Sequence, residues 1–217
     1  MIKGVIFDMD GVITDNNPYH KKAWDKFSEQ YGVRLTSDEV NNYIFGRVAR
    51  DTVEYIFKKK LTQEEIDDYV EQKENIYKKI YEAHIKPVDG LIAFLEVLTL
   101  NKFKLAMATS APRGNVNFTF RHIPIKHFFD VILDEDSIIN GKPHPEIYIK
   151  AIKMLGLVPE QCLIFEDSLP GIAAAKGSGA FVIGVSTTHD EAELSGVHKV
   201  IRDFNQVNIN DLKKMTE

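Results

Sequence analysis

The sequence predicts an α/β protein, a parallel sheet covered by helices and interrupted near its start by an all-helical insert. Three observations carry this. An apolar, β-rich run, Val5-Ile6-Phe7, ends at carboxylates and Gly11, as a buried strand does where it leaves the core. From about Pro18 to Glu82 the apolar spacing is helical. After Pro87 and Gly90, helical and strand patterns alternate, which is how chains that build parallel sheets read.

The elements follow in order. Val5-Ile6-Phe7 is the first buried strand. In the insert, Thr36/Glu39 and Thr62/Glu65 have the Thr-x-x-Glu spacing of capping boxes and mark two helix starts. Beyond it the pattern gives a helix near 90–100, a strand at 103–109, a helix at 112–121, a strand at 130–133, a helix at 145–155, a strand at 162–166, a helix at 169–176 and a strand at 180–185. The polar segment from 186 onward carries no readable motif and is expected to complete the sheet edge and its covering helix. The expected division is a discontinuous α/β core, 1–15 with 84–217, and a helical cap domain, 16–83, with hinges near 14–17 and 82–88. No internal repeat or low-complexity tract interrupts it, and the charges of Lys58-Lys59-Lys60 and 64–68 read as solvated helix surface.

Composition narrows the function. A chain of 217 residues buries a core without staples, and 44% hydrophobic with 27% charged residues is an ordinary globular balance. A net charge of -5 lacks the broad positive field of nucleic-acid binding, so an anionic ligand must be met by a few placed cations in a pocket. The single cysteine, Cys162, lies in the apolar run Cys162-Leu163-Ile164-Phe165, so no intramolecular disulfide forms and a buried thiol is expected. A reducing cytoplasm fits. The apolar run at the amino terminus is broken by Asp8, too short for a signal peptide or anchor, and no other stretch would span a bilayer. We expect no nucleic acid, no membrane, and a monomer.

Four segments carry chemistry. Asp8 and Asp10, two apart at the end of a strand, point to one face if the chain stays extended. Two converging carboxylates repel unless cations offset them, which makes a nucleophile and acid/base pair. Taken alone, Asp-x-Asp serves equally well to cap a loop. The second segment, Leu105 to Ser110, ends in a hydroxyl before Pro112. It brings Ser110, with Ala111 beside it, to a helix start suited to phosphate, or simply caps that helix. In Gly141-Lys142-Pro143-His144-Pro145-Glu146, two prolines stiffen the backbone around one lysine. That ammonium would neutralise phosphate and Asp8, although a loop lysine is usually a solvated charge. The fourth, Cys162 to Ser168, runs an apolar strand into Glu166 and Asp167, oxygen ligands that suit Mg²⁺ or caps of the next helix. The order of the four carries more than any one.

In that order, through Asp8-Met9-Asp10-Gly11-Val12, Ser110, Lys142 and Glu166-Asp167, the sequence resembles the haloacid dehalogenase superfamily over essentially its whole length. The resemblance implies a Rossmann-like parallel sheet with a four-helix cap. It implies that Asp8 attacks phosphorus to form an aspartyl phosphate, that Asp10 protonates the leaving oxygen and then activates the acceptor, and that Ser110 and Lys142 hold phosphoryl oxygens. It also implies Mg²⁺ bound by Asp8, the Asp10 backbone carbonyl and Asp167, with Glu166 a further candidate ligand. Within the superfamily, the insert looks most like that of β-phosphoglucomutases and sugar-phosphate phosphatases. His20 precedes Trp24, Phe27 and Tyr31 at helical spacing, and Lys73 falls in the stripe Ile66, Tyr69, Val70, Tyr77 and Ile80. Spacing alone leaves Lys73 either inward or snorkelling from the stripe's edge, and the resemblance places it over the active site. Gly46, Arg47 and Arg50 look like the cap loop that binds substrate phosphate. Asn16 stands where the mutases typically have a hinge threonine, and Arg47 is an additional base there. Both favour a phosphatase of small phosphorylated metabolites over a β-phosphoglucomutase. A non-catalytic phospholigand-binding module ranks third, since it has no need of the Asp8/Asp10 pair.

Overall fold

The computed structural model describes residues 1–44 and 47–215. Its centre is a six-stranded parallel sheet of β1 (Gly4–Phe7), β2 (Lys104–Ala108), β3 (Val131–Leu133), β4 (Cys162–Glu166), β5 (Phe181–Val185) and β6 (Lys199–Ile201). The spatial order is β3-β2-β1-β4-β5-β6, so the chain reverses direction of growth at β1. In an open parallel sheet, this switch point at the carboxyl ends of the strands is where ligands bind.

Alternation along the strands feeds two cores. Val5, Phe7, Leu163 and Phe165 face one layer, and Ile6, Cys162 and Ile164 face the other, as a two-residue period requires. The first layer is closed by α5 (Leu91–Leu100), α6 (Arg113–His122) and α9 (Ile209–Lys214), through Leu95, Val116 and Leu212. Phe7 stacks on Phe165 at 5.2 Å, and Phe94 and Phe204 pack on both rings beneath the site. The second layer is closed by α7 (Glu146–Met154) and α8 (Leu169–Gly177). Cys162 is fully buried there, and burial pushes its thiol up to about 11.

Between β1 and α5 come α1 (Asn17–Gln30), α2 (Ser37–Tyr43), α3 (Ala49–Phe57) and α4 (Gln63–Tyr81). They share an apolar cluster of their own, built on Trp24, Phe27, Val40, Val53, Ile56 and Ile66. Both expected capping boxes form, on Thr36/Glu39 and Thr62/Glu65, worth about 1 kcal/mol each. The chain leaves and re-enters the sheet layer side by side: Val88 donates its N–H to the Ile13 carbonyl, and Thr14 bridges to Pro87. A second seam joins Ala23, Tyr77 and Tyr81 to Phe118 of α6. No helix among the described residues is long and apolar enough to cross a membrane.

Candidate active site

Asp8 follows β1 directly and stays in the ladder, its N–H donating to the Phe165 carbonyl at 3.0 Å. This sets Asp8 beside the end of β4, where Glu166 and Asp167 emerge. Lys142 comes in from the loop before α7 with 1% exposure. Its Nζ donates to Asp8 Oδ1 at 2.9 Å and to Glu166 Oε1 at 2.5 Å, and lies 5.0 Å over the Tyr148 ring. Burial alone would push this ammonium down. Asp8 and Glu166 outweigh burial and hold it above the ordinary lysine range, so the loop lysine is a fixed, buried charge.

Glu166 is saturated by protein donors. Tyr148 joins Lys142 at Oε1, and Oε2 accepts the N–H groups of Asp167 and Ser168 and the Ser168 hydroxyl. Gly171 makes room: a Cβ there would lie 1.8 Å from Glu166 Oε1. The cap of α8 is Ser168, whose hydroxyl accepts from the Gly171 N–H, so Asp167 has another use.

Three carboxylates, Asp8, Glu166 and Asp167, bring oxygens within 4.8 Å of one another, all buried, with one ammonium among them. Burial, then Glu166 and Asp10, push Asp8 up to about 7 against the opposing pull of Lys142. Burial, then Glu166 and Asp8, drive Asp167 well above the usual carboxylate range. With all three ionised, three carboxylates against one ammonium would leave a deficit of two positive charges, and a hard divalent cation with oxygen ligands would fill it.

Asp10 sits in a different environment. Asn16 Nδ2 donates to its Oδ1 at 2.6 Å, and His20 Nε2 lies 3.6 Å away. Burial pushes Asp10 up, but His20, Asn16 and Lys73 together overcome this and hold it below the usual carboxylate range. The His20 ring stacks on Tyr77 at 3.8 Å, and its Nδ1 accepts from Lys73 Nζ at 2.8 Å. That contact leaves the proton on Nε2, facing Asp10. Lys73, 2% exposed, also donates to Glu74 Oε1 and lies over Trp24. It points inward and does not snorkel.

A cavity of about 50 Å³ lies between helices α1 to α4 and the sheet. Of the residues singled out in the sequence, Asp8, Asp10, His20, Arg47, Lys73, Ser110, Ala111 and Asp167 line it. Lys142 and Glu166 lie beneath, behind Asp8. The Ala111 N–H is taken by Thr109 Oγ1, and α6 begins at Arg113, with Pro112 ahead of it as the cap residue. Arg50 lies elsewhere, lining grooves with Glu135 and His144 and reaching Asp51 at 3.8 Å. Gly46 falls outside the described residues.

Four residues that the sequence did not single out meet here. Glu74, buried beside Lys73, accepts from Asn115 Nδ2 of α6 at 2.6 Å, and its place three before Tyr77 put it on the same stripe. Asn17 and Thr188 both contact Asp167. Thr188 belongs to the segment expected to be structural only, yet it follows the carboxyl end of β5, where this type of sheet presents ligand-side residues.

Residues 5–185 match the family described as haloacid dehalogenase-like hydrolase, and the chain belongs to that family. It is 32% identical over 178 residues to a phosphorylated carbohydrates phosphatase of Thermotoga maritima, covering 82% of each chain. It is also 32% identical over 192 residues to a β-phosphoglucomutase of Bacillus subtilis, covering 85% of this chain and 83% of that one. The crystal structure of a family IA, variant 3 hydrolase from Entamoeba histolytica superposes with a TM-score of 0.88 at 31% identity over 99% of both chains.

Proposed function

We propose that this protein is a Mg²⁺-dependent phosphatase of small phosphorylated metabolites, sugar phosphates foremost, acting through a phosphoryl group carried on Asp8. The observation that carries the reading is the pair of carboxylates in opposed settings, Asp8 against Lys142 and Asp10 against His20 and Asn16. Lys142 pulls Asp8 towards the ionised form a nucleophile needs, against the burial that raises it, while Asp10 has hydrogen-bonding partners of its own and is free of Lys142. An Asp8 oxygen attacks phosphorus as the bond to the leaving oxygen breaks, and Asp10 gives that oxygen its proton. Asp10 then takes a proton from water as the water attacks the aspartyl phosphate and frees Asp8.

As arranged here Asp10 is ionised, ready for the second half; an entering phosphate dianion raises its proton affinity for the first. Ser110, which lines the cavity, would hold a phosphoryl oxygen, and Lys142, behind Asp8, would offset charge on Asp8 and the phosphoryl group. Asp8, the Asp10 backbone carbonyl and Asp167 would hold Mg²⁺, which supplies charge neutralisation for the transferring group. Glu166, already saturated, serves by fixing Lys142. The segment 16–83 acts as a cap. A cavity of about 50 Å³ takes a few waters but not a sugar phosphate, so the cap parts from the core to admit substrate.

A β-phosphoglucomutase is the second reading, favoured by the 32% identity to the Bacillus subtilis enzyme of that name. The test is a panel of sugar phosphates with Mg²⁺, including β-glucose 1-phosphate with glucose 1,6-bisphosphate, followed for both glucose 6-phosphate and inorganic phosphate. Phosphate release from several substrates is expected. Isomerisation much faster than release makes the protein a mutase, and neither product overturns both readings.

A further inference from the structure

One oxygen of Asp167 is held from two sides. Asn17 Nδ2 donates to Asp167 Oδ2 at 2.8 Å and to Thr188 Oγ1 at 2.6 Å, and the Thr188 hydroxyl donates to the same Oδ2. The three side chains come from distant parts of the chain: the first residue of α1, the end of β4 and the loop after β5. The neighbouring Thr187 seats that loop, its hydroxyl donating at 2.5 Å to the carbonyl of Gly11, in the turn that follows Asp8 and Asp10. Gly11 leaves the room this needs. Its φ is +74°, and a Cβ there would lie 1.9 Å from Asp167 Oδ2 and 2.8 Å from Asn17 Nδ2.

We infer that Asn17 and Thr188 are positioning residues for the divalent cation, fixing Asp167 through Oδ2 so that its carboxylate stands ready as a ligand. The inference rests on the reading of Asp8 and Asp167 as cation ligands. The terminal torsion of an aspartate is broad and soft, so an unbraced carboxylate has to be ordered when the cation binds. Partners one shell out from a metal remove that cost, and their loss typically weakens binding about 10–100-fold. Because Asn17 opens α1, the brace also ties the cation site to the seating of the helical insert.

The test titrates the whole protein with Mn²⁺, followed by electron paramagnetic resonance of the free ion, and then displaces it with Mg²⁺. Thr188→Val and Asn17→Ala are each expected to weaken both cations about 10–100-fold. The double variant should lose little more than either single one, since both donors act on one oxygen. Thr188→Ser, which restores the hydroxyl, is expected to stay close to wild type. In steady-state assays the Mg²⁺ concentration for half-maximal rate should rise in the two single variants, with kcat largely recovered at saturation. Cation affinities within about twofold of wild type in both, with native near-ultraviolet circular dichroism, would overturn the brace and leave the cation site standing. So would a Thr188→Ser variant as weak as Thr188→Val. A wild-type protein that binds neither cation removes the site and the brace together.

Discussion

Lys142 touches two carboxylates, and the difference between them lies in what else each one touches. Asp8 has Lys142 as its side-chain partner, while Glu166 has Lys142, Tyr148, Ser168 and two backbone amides. The less encumbered group is the one able to attack. Asp8→Asn keeps the size and a hydrogen-bonding edge, so the fold should persist. Turnover should fall at least about a thousandfold, because the amide forms no acyl phosphate. Steady-state phosphate release beside a thermal melt checks this, and a variant that keeps a tenth of the rate would end the covalent reading. Residue identities at this site were legible because strand ends followed by Asp, Ser or Glu-Asp, and a lysine between a glycine and prolines before a helix, are local patterns. The saturation of Glu166 was not legible. It depends on Tyr148, 18 residues back in the chain, and on the missing side chain of Gly171, neither of which a strand-end pattern contains.

At the scale of elements, α4 brings a cluster of buried polar groups to the chemistry. Its buried face carries Lys73, Glu74 and Tyr77 in little more than one turn. Lys73 holds His20 Nδ1, and that hold keeps the Nε2 proton towards Asp10. Lys73→Met preserves the stem's packing on Trp24 and Tyr77 but frees Nδ1, so the imidazole no longer has a set tautomer. Asp10 then loses a nearby positive charge and its oriented neighbour. The expected result is a fall in kcat of about tenfold or more with a smaller change in KM, since general acid–base catalysis contributes about 10²–10⁴. A loss confined to KM, measured on the best substrate of the panel, would make Lys73 a binding residue alone. The buried strands and capping boxes were readable because period and caps are local signals. The segment beyond 186 does complete the sheet edge, as expected, but the bounds of β6 and the role of the loop bearing Thr187 and Thr188 were not readable, for β6 has three residues and the loop's hydroxyls find partners 176 and 21 residues away.

The whole molecule is held at a seam between its helical insert and its sheet layer, and the seam carries an excess of carboxylates. Glu135, in the loop after β3, is pushed up to about 7 by burial, then by Asp136 and Glu74, with Arg50 opposing and Asp134 adding to the rise. Asp67 of α4 lines the same groove. Glu135 thus faces acids on its own loop and on α4, against one arginine on α3. Its folded value lies above its unfolded one, so below about pH 4.5 both states are protonated and the group is neutral in its effect. As pH rises towards 7 the unfolded chain gives up the proton first, and the native state binds more protons than the unfolded one. Stability therefore falls across that window and levels off above it. Asp8 and Asp167 are raised in the same sense, but if both are Mg²⁺ ligands, as proposed, saturating Mg²⁺ would remove their part by holding both ionised. Urea unfolding in saturating Mg²⁺ should show wild-type stability declining from pH 5 to pH 8. Glu135→Gln, which keeps the shape without the charge, should flatten that decline and be more stable at pH 8 by on the order of 1 kcal/mol. Equal slopes in the two proteins would mean that Glu135 is relieved by Arg50 or by water, and that the acidic seam does not set the pH response of the fold.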